Sequence, residues 1–298
     1  MADKVIRNRL RGWIQGAWTL LTNGYLLGFV KGRIWQGGSK AVCVPGLNCY
    51  SCPGAWGACP IGSLQAELAS RNVKFPFYVT GFLLATGALF GRFVCGFLCP
   101  FGWVQDLLYK IKTPKIKSFK GDRALRYLKY AVLLVMVILL PSLIRNDAGT
   151  GTPWFCKWLC PSGTLFAGIP LLALNENLRA LAGYIFNWKV GVLVVILTLS
   201  VFLYRPFCKY LCPLGAAYAL FNRASIYRLR LEEQKCVHCG ACKRVCLMGV
   251  DASQKPDDME CIRCGDCVKN CPTGALTAGF CKKKPVSPPE QETPAKTE

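Results

Sequence analysis

"GRFVCGFLCPFG", residues 91–102, sets Cys95 and Cys99 four positions apart at the end of an apolar stretch and follows the second with Pro100. Two related strings, "FCKWLCPSG" (Cys156, Cys160) and "FCKYLCPLG" (Cys208, Cys212), repeat the pattern. Its closing element recurs more widely, as C-P-x-G at 59–62, 99–102, 160–163, 212–215 and 271–274. Proline suits the first position of a helix, because its missing N–H would have no intrahelical partner there. The cysteine before it therefore falls at a helix N-terminus, where unpaired amides and the positive end of the dipole favour a thiolate or an anionic group.

The chain around these elements is 52% apolar over 298 residues, with a mean hydropathy of +0.29. A bilayer core asks for roughly 17–25 predominantly apolar residues per helix, and about 13–30, 75–94, 127–144 and 186–204 qualify as four expected spans. Arg7, Arg9 and Arg11 precede the first as they would a signal peptide, but no small-residue cleavage site follows, so it reads as an uncleaved anchor. The net charge of +21 clusters beside these spans. Residues 1–12 hold 4 Lys and Arg, 91–129 hold 9 and 205–235 hold 6, against 5 in 31–74 and 3 in 145–185. The positive-inside rule then makes the first three segments cytoplasmic and puts both termini inside a multi-pass cell-membrane protein. No recognition motif accompanies the charge, so nucleic acid is not an expected partner; attraction to anionic lipid is.

The 19 cysteines fall into groups. "CVHCGACKRVC" (Cys236, Cys239, Cys242, Cys246) and "CIRCGDCVKNCP" (Cys261, Cys264, Cys267, Cys271, Pro272) both have the spacing C-x2-C-x2-C-x3-C. In two-cluster bacterial ferredoxins the fourth cysteine of each run serves the other cluster. Cluster 1 is thus expected on Cys236, Cys239, Cys242 and Cys271, and cluster 2 on Cys261, Cys264, Cys267 and Cys246. Zinc also binds thiolate tetrads, but zinc ribbons pair two C-x2-C knuckles and lack this three-step run. The single histidine, His238, lies between ligands as a spacer; its solitude and the lack of C-x-x-C-H argue against haem.

The topology sorts the remaining cysteines by side. Cys95, Cys99, Cys208 and Cys212 lie at the inner ends of spans and suffice for one further cubane. Six lie in outer loops: Cys43, Cys49, Cys52 and Cys59 of "CVPGLNCYSCPGAWGACPIG", with Cys156 and Cys160. One arrangement uses Cys52, Cys59, Cys156 and Cys160; another takes Cys49, Cys52 and Cys59 with one distant partner; an extracytoplasmic loop also permits disulfides. Cys281 reads as a spare thiol before a Pro-rich, charged tail expected to be disordered. The expected domains are therefore a membrane domain over 1–230, a two-cluster ferredoxin domain over 231–280 and a tail over 281–298.

Spans carrying C-x3-C-P elements and closed by a two-cluster ferredoxin domain resemble the NapH/MauN-type ferredoxin-like membrane proteins, with related modules in NosR and CcoG. The resemblance covers about 75–275 and rests on Cys95, Cys99, Pro100, Cys208, Cys212, Pro213 and the eight C-terminal cysteines. It implies an α-helical membrane protein with an α+β two-[4Fe-4S] domain and electron transfer between the quinone pool and a redox partner protein, with no soluble substrate. The third C-x3-C-P element and the Cys43–Cys59 cluster go beyond that pattern. They suggest redox centres on both membrane faces.

Three functions compete on sequence alone. The first is an electron relay between a cytoplasmic partner and quinone or an extracytoplasmic partner, as an electron-transfer subunit of an oxidoreductase that could be a quinol dehydrogenase. The second is an assembly factor that supplies electrons for maturation of a respiratory metalloenzyme. The third is a ferredoxin anchor with disulfides in its outer loops. Arg92, Lys209, Lys243 and Arg244 stand near expected ligands and would favour reduced, more anionic states. Gln105, Asp106 and Glu67, just after C-P-x-G elements, could meet a quinone, though helix-surface polarity also explains them.

Overall fold

The computed structural model describes residues 2–71, 75–116, 119–147, 149–180 and 182–280, with the side chains of 2–9 excepted. Cys281 and the expected tail lie outside the described residues. Among them, two helices are long and apolar enough to cross a membrane, Asp122–Leu143 and Tyr184–Phe202, and they coincide with the third and fourth expected spans. Only 22% and 17% of their apolar windows are buried, so these helices turn most of their apolar surface outward. The first expected span is interrupted: Ala2–Thr22 ends before Asn23-Gly24, and a short helix, Leu26–Lys31, follows. In place of the second stands Phe77–Phe90, 14 residues long, stopped where Gly91 turns to a φ of 52°.

Several short helices start at a Cys-Pro step. Pro60–Leu68, Pro100–Tyr109 and Pro213–Leu220 have Cys59, Cys99 and Cys212 as their N-caps, and Cys160 caps the stretch Pro161–Leu174. At 8–14 residues they are about 12–21 Å long, too short to cross a bilayer core of about 30 Å. Three still shorter helices, Phe93–Phe97, Trp154–Trp158 and Pro206–Tyr210, carry Cys95, Cys156 and Cys208 directly before the Cys-Pro turns. Each C-x3-C element is thus one helical turn, a break at the second cysteine, and a new helix.

The C-terminal unit begins slightly before the expected boundary at 231. Strand Tyr227–Leu231 pairs antiparallel with Leu276–Phe280, in the register Tyr227 with Phe280 and Leu231 with Leu276. Between the strands the two cysteine runs have matching backbones. His238 and Arg263, the third residues of the two C-x2-C steps, both have positive φ, as do Gly240 and Gly265 after the second cysteines and Gly249 and Gly274 three residues after the fourth. These left-handed positions curl each run so that its thiols face inward.

This unit is bound tightly to the helices. The side chain of Asn222, fully buried, donates to Cys261 O (2.8 Å) and Asp258 O (2.9 Å) and accepts from Arg92 N (2.9 Å). Arg263 donates to Phe90 O (3.0 Å) and Asn222 O (2.6 Å). Gly96, between Cys95 and Cys99, lies so close to the loop between Cys261 and Cys264 that an added Cβ would stand 2.5 Å from Ile262 O. The obstacle is backbone, which cannot step aside, so Gly96→Ala should cost about 1–3 kcal/mol. Limited proteolysis should then release the C-terminal unit more readily than in Gly81→Ala, where an added Cβ meets nothing.

Candidate metal centres

The described thiols gather into four sets of four, and two of the 18 are left over. In the C-terminal unit, Cys236, Cys239, Cys242 and Cys271 line one pocket, here called site I. Cys246, Cys261, Cys264 and Cys267 line a second, site II. Each cavity draws its fourth thiol from the other run, as the spacing requires. Site I lies towards the surface, with Cys239 exposed, whereas the walls of site II include Tyr204 and Ile262. Burial pushes the Cys261 and Cys267 thiols up to about 11 and 12, so their thiolate forms need a bound cation or cluster to stabilise them. Val250 N donates to Cys246 Sγ at 3.3 Å.

Site III comprises Cys95, Cys99, Cys208 and Cys212. All four are buried, and every pair among them interacts electrostatically. Gly215 N donates to Cys212 Sγ at 3.3 Å, Gly102 N–H faces Cys99, and Leu47 N–H reaches Cys99 as well. Gln105 is fully buried and donates from Nε2 to Cys208 Sγ at 3.1 Å.

Site IV repeats this plan with different cysteines from one of the expected sets. Cys49, Cys59, Cys156 and Cys160 interact in every pairing. A side chain at Gly163 would meet Cys49 Sγ at 3.5 Å and Cys160 Sγ at 3.8 Å, and one at Gly62 would meet Cys156 Sγ at 3.9 Å. Gly163 N donates to Cys160 Sγ (3.4 Å) and Gln65 Nε2 to Cys156 Sγ (3.3 Å). Cys52 departs from the expected placement: it is buried against Ala55 and Ala167, with Cys49 as its neighbouring thiol. The chain turns at 49–52, with Cys52 N donating to Cys49 O at 3.0 Å, and this sends the two thiols different ways. Cys43 is also buried, 3.9 Å from Ser63 Oγ.

Buried charge surrounds site III. Arg92 and Arg205, both without solvent exposure, act electrostatically on Cys95 and Cys208. Each belongs to a group in which two cations share one carboxylate. Glu260 lies between Arg92 (2.8 Å) and Lys129, and Asp106 between Arg205 (2.5 Å) and Arg11. A third group joins Asp122 to Lys209 (2.6 Å) and Arg126 (2.6 Å). Each group keeps one positive charge in excess, and Arg92 Nε is buried with no hydrogen-bond partner. Unbalanced buried charge is costly, whereas a cluster held by four thiolates is anionic. The residues therefore fit such a group. Among the described residues, no three His, Cys, Asp or Glu side chains converge tightly enough for a single metal ion.

Several sequence expectations change here. Gln105 and Asp106 are not surface polarity: Gln105 is fully buried and bonded to Cys208, and the half-buried Asp106 is held by two arginines. Glu67 is half-buried. Lys209 pairs with Asp122, while Lys243 and Arg244 are exposed beside site I, Lys243 3.4 Å from Asp251. Gln65, Arg205, Lys129 and Glu260 escaped the sequence reading, although Gln65 and Gln105 share the visible pattern C-P-x-G-x-x-Q.

Stretches 74–118, 130–173 and 185–231 match a family described as a 4Fe-4S binding domain, and 255–277 match a second family of the same description. An uncharacterized protein of Methanocaldococcus jannaschii is 30% identical over 66% of this chain and 75% of its own length. Regulatory protein NosR of Pseudomonas aeruginosa is 31% identical over 57% of this chain and 22% of its own. Methylamine utilization ferredoxin-type protein MauN of Paracoccus denitrificans is 31% identical over 61% and 58%. The chain thus spans less than two thirds of both named relatives. No solved structure matches.

Burial alone would raise the Asp106 pKa, but Arg205 and Arg11 hold it down to about 2. Relative to an ordinary Asp near 3.9, its contribution to stability is complete above about pH 4 and is lost as the pH falls towards 2. Asp106→Asn leaves two buried guanidiniums without their counter-charge and should destabilise the protein by roughly 3–5 kcal/mol at neutral pH. Thermal unfolding of the two proteins across pH 2–7 would show that difference shrinking on the acid side.

Proposed function

Because the chain belongs to the NosR/MauN-like family of ferredoxin-type iron–sulfur proteins, we propose that it is a membrane-bound electron-transfer protein in which sites I to IV each hold a [4Fe-4S] cluster. The observation that carries this reading is the division of the thiols into four sets of four, each buried set ringed by N–H donors and one by excess positive charge. The clusters would supply one-electron carriers. The ligands would be Cys236, Cys239, Cys242 and Cys271 at site I; Cys246, Cys261, Cys264 and Cys267 at II; Cys95, Cys99, Cys208 and Cys212 at III; and Cys49, Cys59, Cys156 and Cys160 at IV.

The chain's own part is to set the order of the sites. Site I, exposed and flanked by Lys243 and Arg244, is where a soluble redox partner on the cytoplasmic side would meet the protein. Site II abuts site III through the Gly96–Ile262 contact, and Arg92 touches both neighbourhoods, donating to Cys208 O (3.1 Å) and Met259 O (2.9 Å). Site IV follows site III across a single residue: Leu47 N–H points at Cys99 and Leu47 O accepts from Ser162 Oγ at 3.1 Å. Electrons would leave or enter at the site IV end, to quinone or to an extracytoplasmic partner. The outward apolar surface of Asp122–Leu143 and Tyr184–Phe202 supports a membrane setting. The basic segments on the cytoplasmic side favour a four-span, multi-pass arrangement with both termini inside, in which Ala2–Thr22 and Phe77–Phe90 would cross together with the segments that follow them.

Anaerobic purification followed by electron paramagnetic resonance during a redox titration tests the count. The full-length protein should show four clusters. Cys208→Ser should remove one signal, Cys49→Ser another, and Cys52→Ser none. A wild-type protein with only the two ferredoxin-type signals would reject clusters at sites III and IV.

A further inference from the structure

Gln65 and Gln105 occupy the same place in two copies of C-P-x-G-x-x-Q, residues 59–65 and 99–105. The other two helical copies carry Phe166 and Tyr218 there instead, and it is these copies that hold the F-C-K strings at 155–157 and 207–209. The structure pairs a glutamine copy with an F-C-K copy at each site: 59–65 with 155–160 at site IV, and 99–105 with 207–212 at site III.

The contacts match atom for atom. Gln105 Nε2 donates to Cys208 Sγ (3.1 Å) and approaches Phe101 O (3.4 Å), while Oε1 accepts from Phe207 N (3.2 Å). Gln65 Nε2 donates to Cys156 Sγ (3.3 Å) and approaches Ile61 O (3.3 Å), while Oε1 accepts from Phe155 N (3.0 Å). Neither side chain has any solvent exposure. The orientation of each amide follows from chemistry, since the Phe N–H can be met only by the oxygen, which leaves the NH2 group facing the sulfur. Both amide hydrogens and the carbonyl are then occupied, so neither glutamine is free to bind a quinone.

We propose that Gln65 and Gln105 are a matched pair of potential-setting residues, each placing one N–H on a ligand sulfur of its own site and raising the reduction potential of that site alone. The inference rests on clusters being held at sites III and IV. An N–H···S bond is strengthened as negative charge builds on the sulfur, so it stabilises the reduced state more than the oxidised one. In a dry interior no water replaces the donor once it is removed.

The test is a redox titration by electron paramagnetic resonance on full-length wild type, Gln105→Leu, Gln65→Leu, Gln105→Glu and Gln65→Glu, with signals assigned through the Cys208→Ser and Cys49→Ser proteins. Gln105→Leu should lower the potential of the site III signal and leave site IV in place, and Gln65→Leu should do the reverse. The Glu variants keep the acceptor for the Phe N–H and so preserve the local clamp. They should also lower the potential of their own site, now with a dependence on pH that wild type lacks. Unchanged potentials, or equal shifts at both sites in every variant, overturn the proposal while leaving the clusters standing. Loss of the cluster in both the Leu and the Glu variant of one glutamine overturns it in favour of a purely structural clamp. Absence of site III and IV signals in wild type overturns the functional reading itself, and this inference with it.

Discussion

Everything in the helical part depends on one electrostatic constraint: an anionic thiol set buried in an apolar interior needs positive potential without water to provide it. Short helices that begin inside the protein meet that need. The helices starting at Pro60, Pro100, Pro161 and Pro213 expose their first amides to the preceding cysteine, and the Gly163 and Gly215 amides donate directly to sulfur. Proline at the first position prevents the helix from continuing backwards through the cysteine, and glycine at the third lets the other thiols approach. A long uninterrupted helix would carry these amides in its own ladder and offer the sulfur nothing. Broken helices whose N-termini face an anionic group occur in transporters for the same reason.

The same constraint explains why buried arginines and lysines surround site III rather than pairing off one to one. Three carboxylates, Glu260, Asp106 and Asp122, each serve two cations. A protein stabilised only by ion pairs would gain from a balanced count, because every unpaired buried charge costs several kcal/mol. The excess makes sense when the missing anion is the thiolate set itself. Glu260 adds a second role, since it directly precedes Cys261 and so ties the charge balance of site III to the docking of the ferredoxin-like unit.

Much of this was legible in the sequence, and the parts that were not have a common cause. The crossed sets at sites I and II follow from local spacing, because neighbouring thiols and left-handed turns act within a few residues. The grouping of Cys95 and Cys99 with Cys208 and Cys212 was reachable from the repeat and the charge distribution. The choice between Cys49 and Cys52 was not, since both lie in one C-x2-C step and only the turn at 49–52 decides which thiol faces site IV. Basic residues were read as markers of sidedness, yet Arg92, Lys129, Arg205 and Lys209 are buried and bound to specific carboxylates. Their partners come from segments 87–168 residues away in the chain, and no pattern of spacing reports such pairings.

The placement of the two helical sites bears on how they could act together. Sequence topology sets them at opposite ends of the spans, which suggests stations on separate faces. In the fold, Cys59 and Cys160 belong to the same continuous core as Cys95, Cys99, Cys208 and Cys212. The loop before Cys49 folds inward: Tyr218 OH donates to Pro45 O at 3.1 Å, and Gly46 comes close enough that a Cβ there would stand 2.4 Å from Leu98 O. Leu47 then spans the gap, its N–H towards Cys99 and its carbonyl towards Ser162, two residues after Cys160. The short Cys-Pro helices account for this geometry, because each starts in the interior and runs outward, so the sulfur ends meet in the middle. The inward fold of 43–49 therefore sets the two thiol sets on either side of one residue, Leu47, rather than a bilayer apart.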